Sequence, residues 1–232
     1  MFKKLLAESD PKTIIILLLT PFLITTYKYL TVRANYDHIM VSGLSGCYLS
    51  GFYPDFFNFL LALILLMLIP GLIIKFVFRE KLSQYGFKAG DLKFGLWSII
   101  ISLPLVVISA WLSSHQSDFQ KEYSAFKNNP ITIKSFIIYA LAFFLYYLSF
   151  EFFFRGFMLQ GLRNAFGSLN AILIQTIPCC LIHIGKPAAE IFASIIASLV
   201  FGYLVLRSRS LWYVIIIHWL IGTLLNLFIA LS

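Results

Sequence analysis

The chain has 232 residues, of which 60% are hydrophobic and only 12% charged, whereas a soluble domain carries about a quarter charged residues. That excludes an ordinary water-soluble globule and makes the bilayer the solvent for most of the chain. The formal charge of +8 is not gathered into a patch with interleaved aromatics, so no nucleic-acid partner is expected. The lysines and arginines sit at helix ends instead, as positive-inside topology and contact with anionic membrane lipids require.

A spanning helix needs about 20 mostly apolar residues. In chain order the candidates are Thr13–Val32, Phe57–Phe78, Phe94–Leu112, Ser135–Phe154 with its helix continuing to about Asn164, Leu169–Ile184, Glu190–Leu206 and Leu211–Leu231. The expected fold is therefore all-α, a polytopic transmembrane bundle of about seven helices. Pro21 and Pro70 fall inside the first two spans, which membrane helices tolerate. The Gly/Ser/Tyr-rich stretch Ala34–Phe56 reads as a loop outside the bilayer or at its interface. Lys3 and Lys4 precede an apolar run that continues through Tyr27-Lys-Tyr29 with no small-residue cleavage site, so it reads as a retained helix rather than a signal peptide. Lys3, Lys4 and Lys12, then Lys75, Arg79, Lys81, Lys88 and Lys93, then Arg163, then Arg207 and Arg209 all fall on one side of such a topology. Placing that side in the cytoplasm gives a multi-pass plasma (inner) membrane protein with a cytoplasmic N-terminus. Cys47, Cys179 and Cys180 form no disulfide framework, and the latter two read as small hydrophobes.

Polar side chains inside the apolar runs are the functional candidates, because a charge in hydrocarbon costs kilocalories unless paired or functional. They are Glu151 and Arg155 in Ser149-Phe-Glu-Phe-Phe-Phe-Arg-Gly156, His183, and His218. Glu151 and Arg155 are spaced i, i+4 and share a helix face, so they form either a structural ion pair or a water-polarising carboxylate held ionised by its arginine. His183 lies between Pro178 and the helix-ending Gly185-Lys-Pro187. At a rise of about 1.5 Å per residue, Glu151 lies about 18 Å, His183 about 21 Å, His218 about 10 Å and Asn226 about 22 Å from the cytoplasmic ends of their helices. One intramembrane layer can hold all four. The histidines suit base, metal-ligand or oxyanion roles equally. Asn226, eight residues and about 80° beyond His218, either edges the cavity or packs elsewhere. Glu190 is either a site carboxylate or an ordinary first-turn acid of its helix. Gly43-Leu-Ser-Gly46 spells the Gly-x-Ser-Gly of rhomboid serine proteases but sits in a polar loop, and short Gly/Ser patterns arise easily by chance.

Glu151-Phe-Phe-Phe-Arg-Gly156, with a histidine on the next helix and another on the last, resembles the CPBP (CAAX-protease and bacteriocin-processing, or Abi) intramembrane proteases. The family pattern is Glu-Glu-x-x-x-Arg, then Phe-x-x-x-His, then His-x-x-x-Asn. The resemblance runs from about Tyr139 to Leu231 and extends to Gly202-Tyr-Leu-Val-Leu-Arg207 and Ser210-Leu-Trp-Tyr-Val-Ile-Ile-Ile-His218. It implies helices and loops of supporting character over 1–130 and a catalytic helical core over 131–232. Three positions depart from the pattern: Phe150 replaces the first Glu, Cys179 the Phe, and Gly222 the Asn. His183-Ile-Gly-Lys-Pro-Ala-Ala-Glu190 fits a variant seen in parts of the family. The resemblance implies an intramembrane endopeptidase acting on membrane-associated or lipidated peptide or protein substrates. Glu151, His183 and His218 would be catalytic, with Arg155, Glu190 and Asn226 in support. The resemblance carries a metallopeptidase label, so a divalent metal such as zinc on His183 and His218 stays open, although the chain has no His-Glu-x-x-His motif. The competing reading is a non-catalytic membrane scaffold or regulator that keeps the fold, for which Phe150 and Gly222 speak. A transporter is disfavoured because no inverted repeat is visible.

Overall fold

Apolar runs bounded by polar caps dictate the elements. The computed structural model describes residues 10–32, 52–123, 125–126 and 132–232, so the Gly43-Leu-Ser-Gly46 motif, Cys47, Lys3 and Lys4 lie outside the described residues. Helix α1 spans Pro11–Thr31 and starts where the Asp10 carboxylate accepts the Lys12 and Thr13 amides. Helix α2 spans Tyr53–Val77. It begins earlier than the loop reading of Ala34–Phe56 allows. Pro54 at the helix start and Asp55 in the first turn are both suited to a helix N-terminus, and composition alone hides this. A 3-10 turn, Leu82–Tyr85, leads to α3, Leu92–Ser114, capped by Asp91. Short α4, Ser117–Glu122, follows. The 49-residue helical stretch Ile133–Leu181 is then followed by α7, Ala188–Ser208, and α8, Trp212–Leu231.

Ile133–Leu181 is two helices. Gly167 breaks the helical backbone at φ 78 and ψ 166, a conformation that suits a residue without Cβ. Arg155 meets Cys179, and the Phe150 ring meets the His183 ring. Both pairs are nearly symmetric about residue 167, as the arms of an antiparallel hairpin must be. We call the arms α5 (133–166) and α6 (168–181). Packing of α3 on α8 confirms the count. Gly95 lies against Tyr213 near the start of both helices, and Ala110 clusters with Leu225 further along both. The two helices are therefore parallel. Parallel helices need an odd number of crossings between them, which α5, α6 and α7 supply. Six helices are long and apolar enough to span a membrane, and the hairpin in the longest gives the seven expected crossings of an all-α multi-pass membrane protein.

The two ends of the bundle are chemically distinct. At one end Lys12 pairs with Glu80 at 2.7 Å, Arg207 pairs with Asp91 at 2.8 Å, and Leu211 N–H donates to Gly86 C=O. At the other end Lys28 donates to Ile184 C=O and Lys186 pairs with Glu122 at 2.5 Å. The sets grouped by charge in the sequence thus fall at opposite ends.

The lower half of α5 is the core. Every residue from Ser149 to Leu159 is buried, as expected of a helix surrounded on all sides. Its α-helical pairing gives way to a π-helical stretch, Phe152–Gln160. A Cβ at Gly95 would overlap the Tyr213 ring. Gly95→Ala is therefore expected to lower the thermal unfolding midpoint in detergent, by an overpacking cost of about 1–3 kcal/mol. Adding Tyr213→Leu should recover part of the loss; an unchanged midpoint in the single variant would contradict the α3–α8 register.

Candidate functional site

The site assembles where α5, α6 and α8 meet. The Glu151 side chain is 0% exposed and that of His218 is 19% exposed, and His218 Nδ1 lies 2.6 Å from Glu151 Oε1. A carboxylate accepts, so Nδ1 is the donor in this contact, and in the neutral imidazole Nε2 then carries the lone pair. The sequence-based depths place these residues about 8 Å apart along the bundle. The structure brings them into contact partly because i→i+5 pairing packs more residues into each turn than the α-helical rise assumes. His183 resolves the same way. Its Nδ1 lies 2.6 Å from the Cys179 carbonyl, which can only accept, so its Nε2 lone pair is also free. In its neutral form each histidine therefore presents Nε2 as a proton acceptor. Neither can donate to an oxyanion until it has first taken a proton.

Arg155 holds the carboxylate from below. Its Nε approaches Glu151 Oε2 at 3.3 Å, off the line of a hydrogen bond, so both atoms are buried without one. The other guanidinium nitrogens donate to Cys179 Sγ at 3.4 Å and Ser198 Oγ at 3.3 Å, and the group lies over the Phe154 and Phe201 rings. Cys179 is thus an acceptor for Arg155 and a carbonyl anchor for His183, as well as the small hydrophobe read from sequence. Ser198 carried no signal in the sequence, being one serine in an apolar helix. Gln175 fixes the same region by donating to the Ser198 and Ile172 carbonyls.

Aromatic rings wall the histidines. The Phe150 ring lies 5.7 Å from that of His183 and 5.5 Å from that of His218, edge-on to both. Tyr147, one turn before Glu151, lies 4.4 Å from the His218 ring. A Cβ at Gly222 would overlap the Tyr147 hydroxyl, so the space left by the absent side chain at 222 is taken by that hydroxyl. Tyr147 was legible in principle as the i−4 neighbour of Glu151.

The remaining candidates separate. Glu190 Oε1 accepts from Tyr123 at 2.7 Å, while Oε2 is buried with no hydrogen bond. Tyr123 lies in the polar connection after α4, where the sequence gives no depth. The Asn226 amide donates to Gly222 C=O of its own helix at 3.0 Å, and no hydrogen bond ties it to either histidine. As for a metal, no group of three or more His, Cys, Asp or Glu side chains among the described residues is arranged to hold one. Catalytic zinc takes three protein ligands. His183 and His218 offer two nitrogens with the Phe150 ring against both, a donor set that does not fit catalytic zinc.

An apolar groove of about 580 Å³ runs between α1 and α6, lined by residues including Leu17, Pro21, Ile24, Ile177 and Leu181, with Lys28 at one end. That end adjoins the His183 turn, because Lys28 donates to Ile184 C=O.

Removing one member of a buried charge pair is costly. Arg155→Met should cost about 3–5 kcal/mol, while Arg155→Met with Glu151→Gln should recover much of it. Unfolding in a denaturing detergent series measures both, and equal stability of the single and double variants would exclude an ion pair that matters.

Residues 132–224 match the family described as type II CAAX prenyl endopeptidase Rce1-like. Comparison with curated proteins and with solved structures gives no match.

Proposed function

We propose that the protein is an intramembrane endopeptidase in which His218, backed by Glu151, activates water. The 2.6 Å contact between His218 Nδ1 and the buried Glu151 is the observation that carries this reading. A carboxylate behind an imidazole fixes the tautomer, raises the basicity of the far nitrogen and stabilises the imidazolium once formed. The proton of the attacking water passes to His218 Nε2 while the oxygen bonds to the substrate carbonyl carbon. The imidazolium then gives that proton to the leaving amine as the peptide bond breaks. His183 Nε2 accepts from the same water and orients it. The Tyr147 hydroxyl is the donor for the developing oxyanion, and Arg155 keeps Glu151 ionised and aimed. The chemistry is assigned to residues 131–232 and the supporting role to residues 1–130.

The substrate class is a membrane-associated or lipidated peptide. The Rce1-like match supports it, as does the apolar groove whose upper end adjoins the His183 turn. The basic end of the bundle is taken as cytoplasmic under the positive-inside rule, in a plasma membrane, which sets the N-terminus inside.

A second reading is favoured by Phe150. Its ring stands against both histidines, where the resemblance would place a further carboxylate. A non-catalytic scaffold that binds such peptides without cutting them accommodates this ring without strain.

Purified protein in liposomes, supplied with membrane-proximal and lipidated peptides, separates the two. His218→Gln and His183→Gln should each lower turnover by about 100–10,000-fold while the protein remains folded. Tyr147→Phe should lose about 100–1,000-fold, the cost of one oxyanion donor. Glu190→Gln should be much milder than His218→Gln; the reverse order would make Glu190 the water-activating carboxylate. Chelator-sensitive turnover would establish a metal in the site. Saturable peptide binding with no cleavage by wild type, and unaltered binding by His218→Gln, would establish the scaffold.

A further inference from the structure

Far from the histidines, at the end of the bundle where Arg207 meets Asp91, a polar pocket of about 600 Å³ is lined by Gln84, Gly86, Lys88, Gln160, Arg163, Leu206, Arg207 and Arg209. Four cations from three separate segments converge on it: Lys88 from the turn before α3, Arg163 from α5, and Arg207 and Arg209 from the end of α7. No acidic side chain lines it. Arg207 is paired with Asp91, but Lys88, Arg163 and Arg209 make no ion pair among the described residues. The Arg163 Nε is held by the Ser168 hydroxyl at 3.0 Å, just past the Gly167 break. The Asp91 carboxylate is already engaged by the Phe94 amide and the Arg207 guanidinium, which hold it below the usual carboxylate range, and it acts on Arg209 only at longer range.

General membrane topology accounts for basic residues at this end, and the α7 dipole accounts for Arg207 and Arg209 at its C-terminus. Neither explains why Lys88 and Arg163, from other elements, open onto the same volume. The walls are also fixed in advance. Asp91 N–H donates to Ser208 C=O at 2.7 Å and Leu211 N–H to Gly86 C=O at 3.0 Å. A Cβ at Gly90 would overlap the Ser208 carbonyl, so the 86–91 turn is closely seated on the α7–α8 corner. Arg209 caps α7 with φ 59, a left-handed conformation that is unfavourable for an arginine. Gly or Asn would serve that corner better if the backbone were its whole purpose.

We propose that this pocket binds a phosphate group, held by Lys88, Arg163 and Arg209 with Gln84 and Gln160 as neutral donors. Guanidinium and ammonium groups converging without carboxylates favour an anion with several acceptor oxygens. The position at the helix ends puts that phosphate at the level of lipid headgroups, where basic pockets between helices hold anionic lipids. The two sources of the phosphate are an anionic phospholipid and free inorganic phosphate. This site is independent of the peptidase reading.

The test is native mass spectrometry and thermal unfolding of the full chain in detergent with phosphatidylglycerol, phosphatidylcholine or inorganic phosphate added. Wild type should retain phosphatidylglycerol and be stabilised by it, and phosphatidylcholine should have little effect. Arg163→Gln with Arg209→Asn, the latter keeping a residue that tolerates the left-handed corner, should weaken phosphatidylglycerol binding at least tenfold. If that pair fails to fold, Lys88→Gln alone, on the exposed turn, should still weaken it several-fold. Lys75→Gln with Lys81→Gln removes the same charge outside the pocket and should leave binding unchanged. Stabilisation by inorganic phosphate that is lost in Arg163→Gln/Arg209→Asn supports the site with free phosphate as its source. Equal loss in the Lys75/Lys81 control, or unchanged affinity for both probes in the pocket variants, overturns the proposal.

Discussion

The structure depends on a carboxylate that has no water. Glu151 is fully buried in a segment enclosed on all sides, and an isolated charge there would be prohibitive. Everything around it answers that requirement. Arg155 supplies the opposite charge one turn away, His218 donates to one oxygen, and Cys179 and Ser198 absorb the arginine's remaining donors. Those partners come from α5, α6, α7 and α8. The charge therefore does more than sit in the core: satisfying it fixes how four helices meet. The same constraint gives His218 its tautomer, and so a structural need and a chemical capacity rest on one contact.

The bundle was legible because its cause is local. Apolar runs of spanning length, prolines and glycines at their ends, and basic residues at alternate connections are all read without tertiary knowledge, and they give the seven crossings. What was not legible followed from packing. Pro54 and Asp55 suit a helix start, but the Gly/Ser/Tyr-rich composition of the stretch that leads into them masks it. The exchange of α for π pairing through Phe152–Gln160 leaves no mark in composition, although it alters both depth and facing at the residues of most interest. The sequence separates the spans between Asn164 and Leu169, yet only the break at Gly167 and the meeting of Arg155 with Cys179 make that gap the tip of a hairpin.

The candidate site divides in the same way. Glu151, Arg155, His183 and His218 announced themselves because polar groups in hydrocarbon need a reason. The family match covers residues 132–224, a stretch that contains all four of them. Their partners did not announce themselves. Cys179 and Ser198 are unremarkable in apolar helices, and Tyr123 lies in a connection whose depth no pattern sets. The sequence allows Asn226 either at the cavity edge or packed elsewhere, and its amide donates to its own helix. Eight residues bring a side chain only to about 80° from the starting face, and the neighbouring helix settles which direction that is.

Phe150 and Gly222 belong together. Each departs from the resemblance by losing a polar side chain, and at each the vacated space is filled by an aromatic group of α5. The Phe150 ring lies against both histidines, and the Tyr147 hydroxyl occupies the gap at Gly222. A scaffold that had merely lost its chemistry has no need to put a hydroxyl where an amide is missing, since any apolar side chain would pack there at lower desolvation cost. Retaining a donor beside the His218 ring, in a protein that also keeps Glu151 behind that ring, weighs toward a rebuilt site. On that proposal the ring of Phe150, edge-on to both histidines, would exclude bulk water from them and strengthen each remaining polar contact.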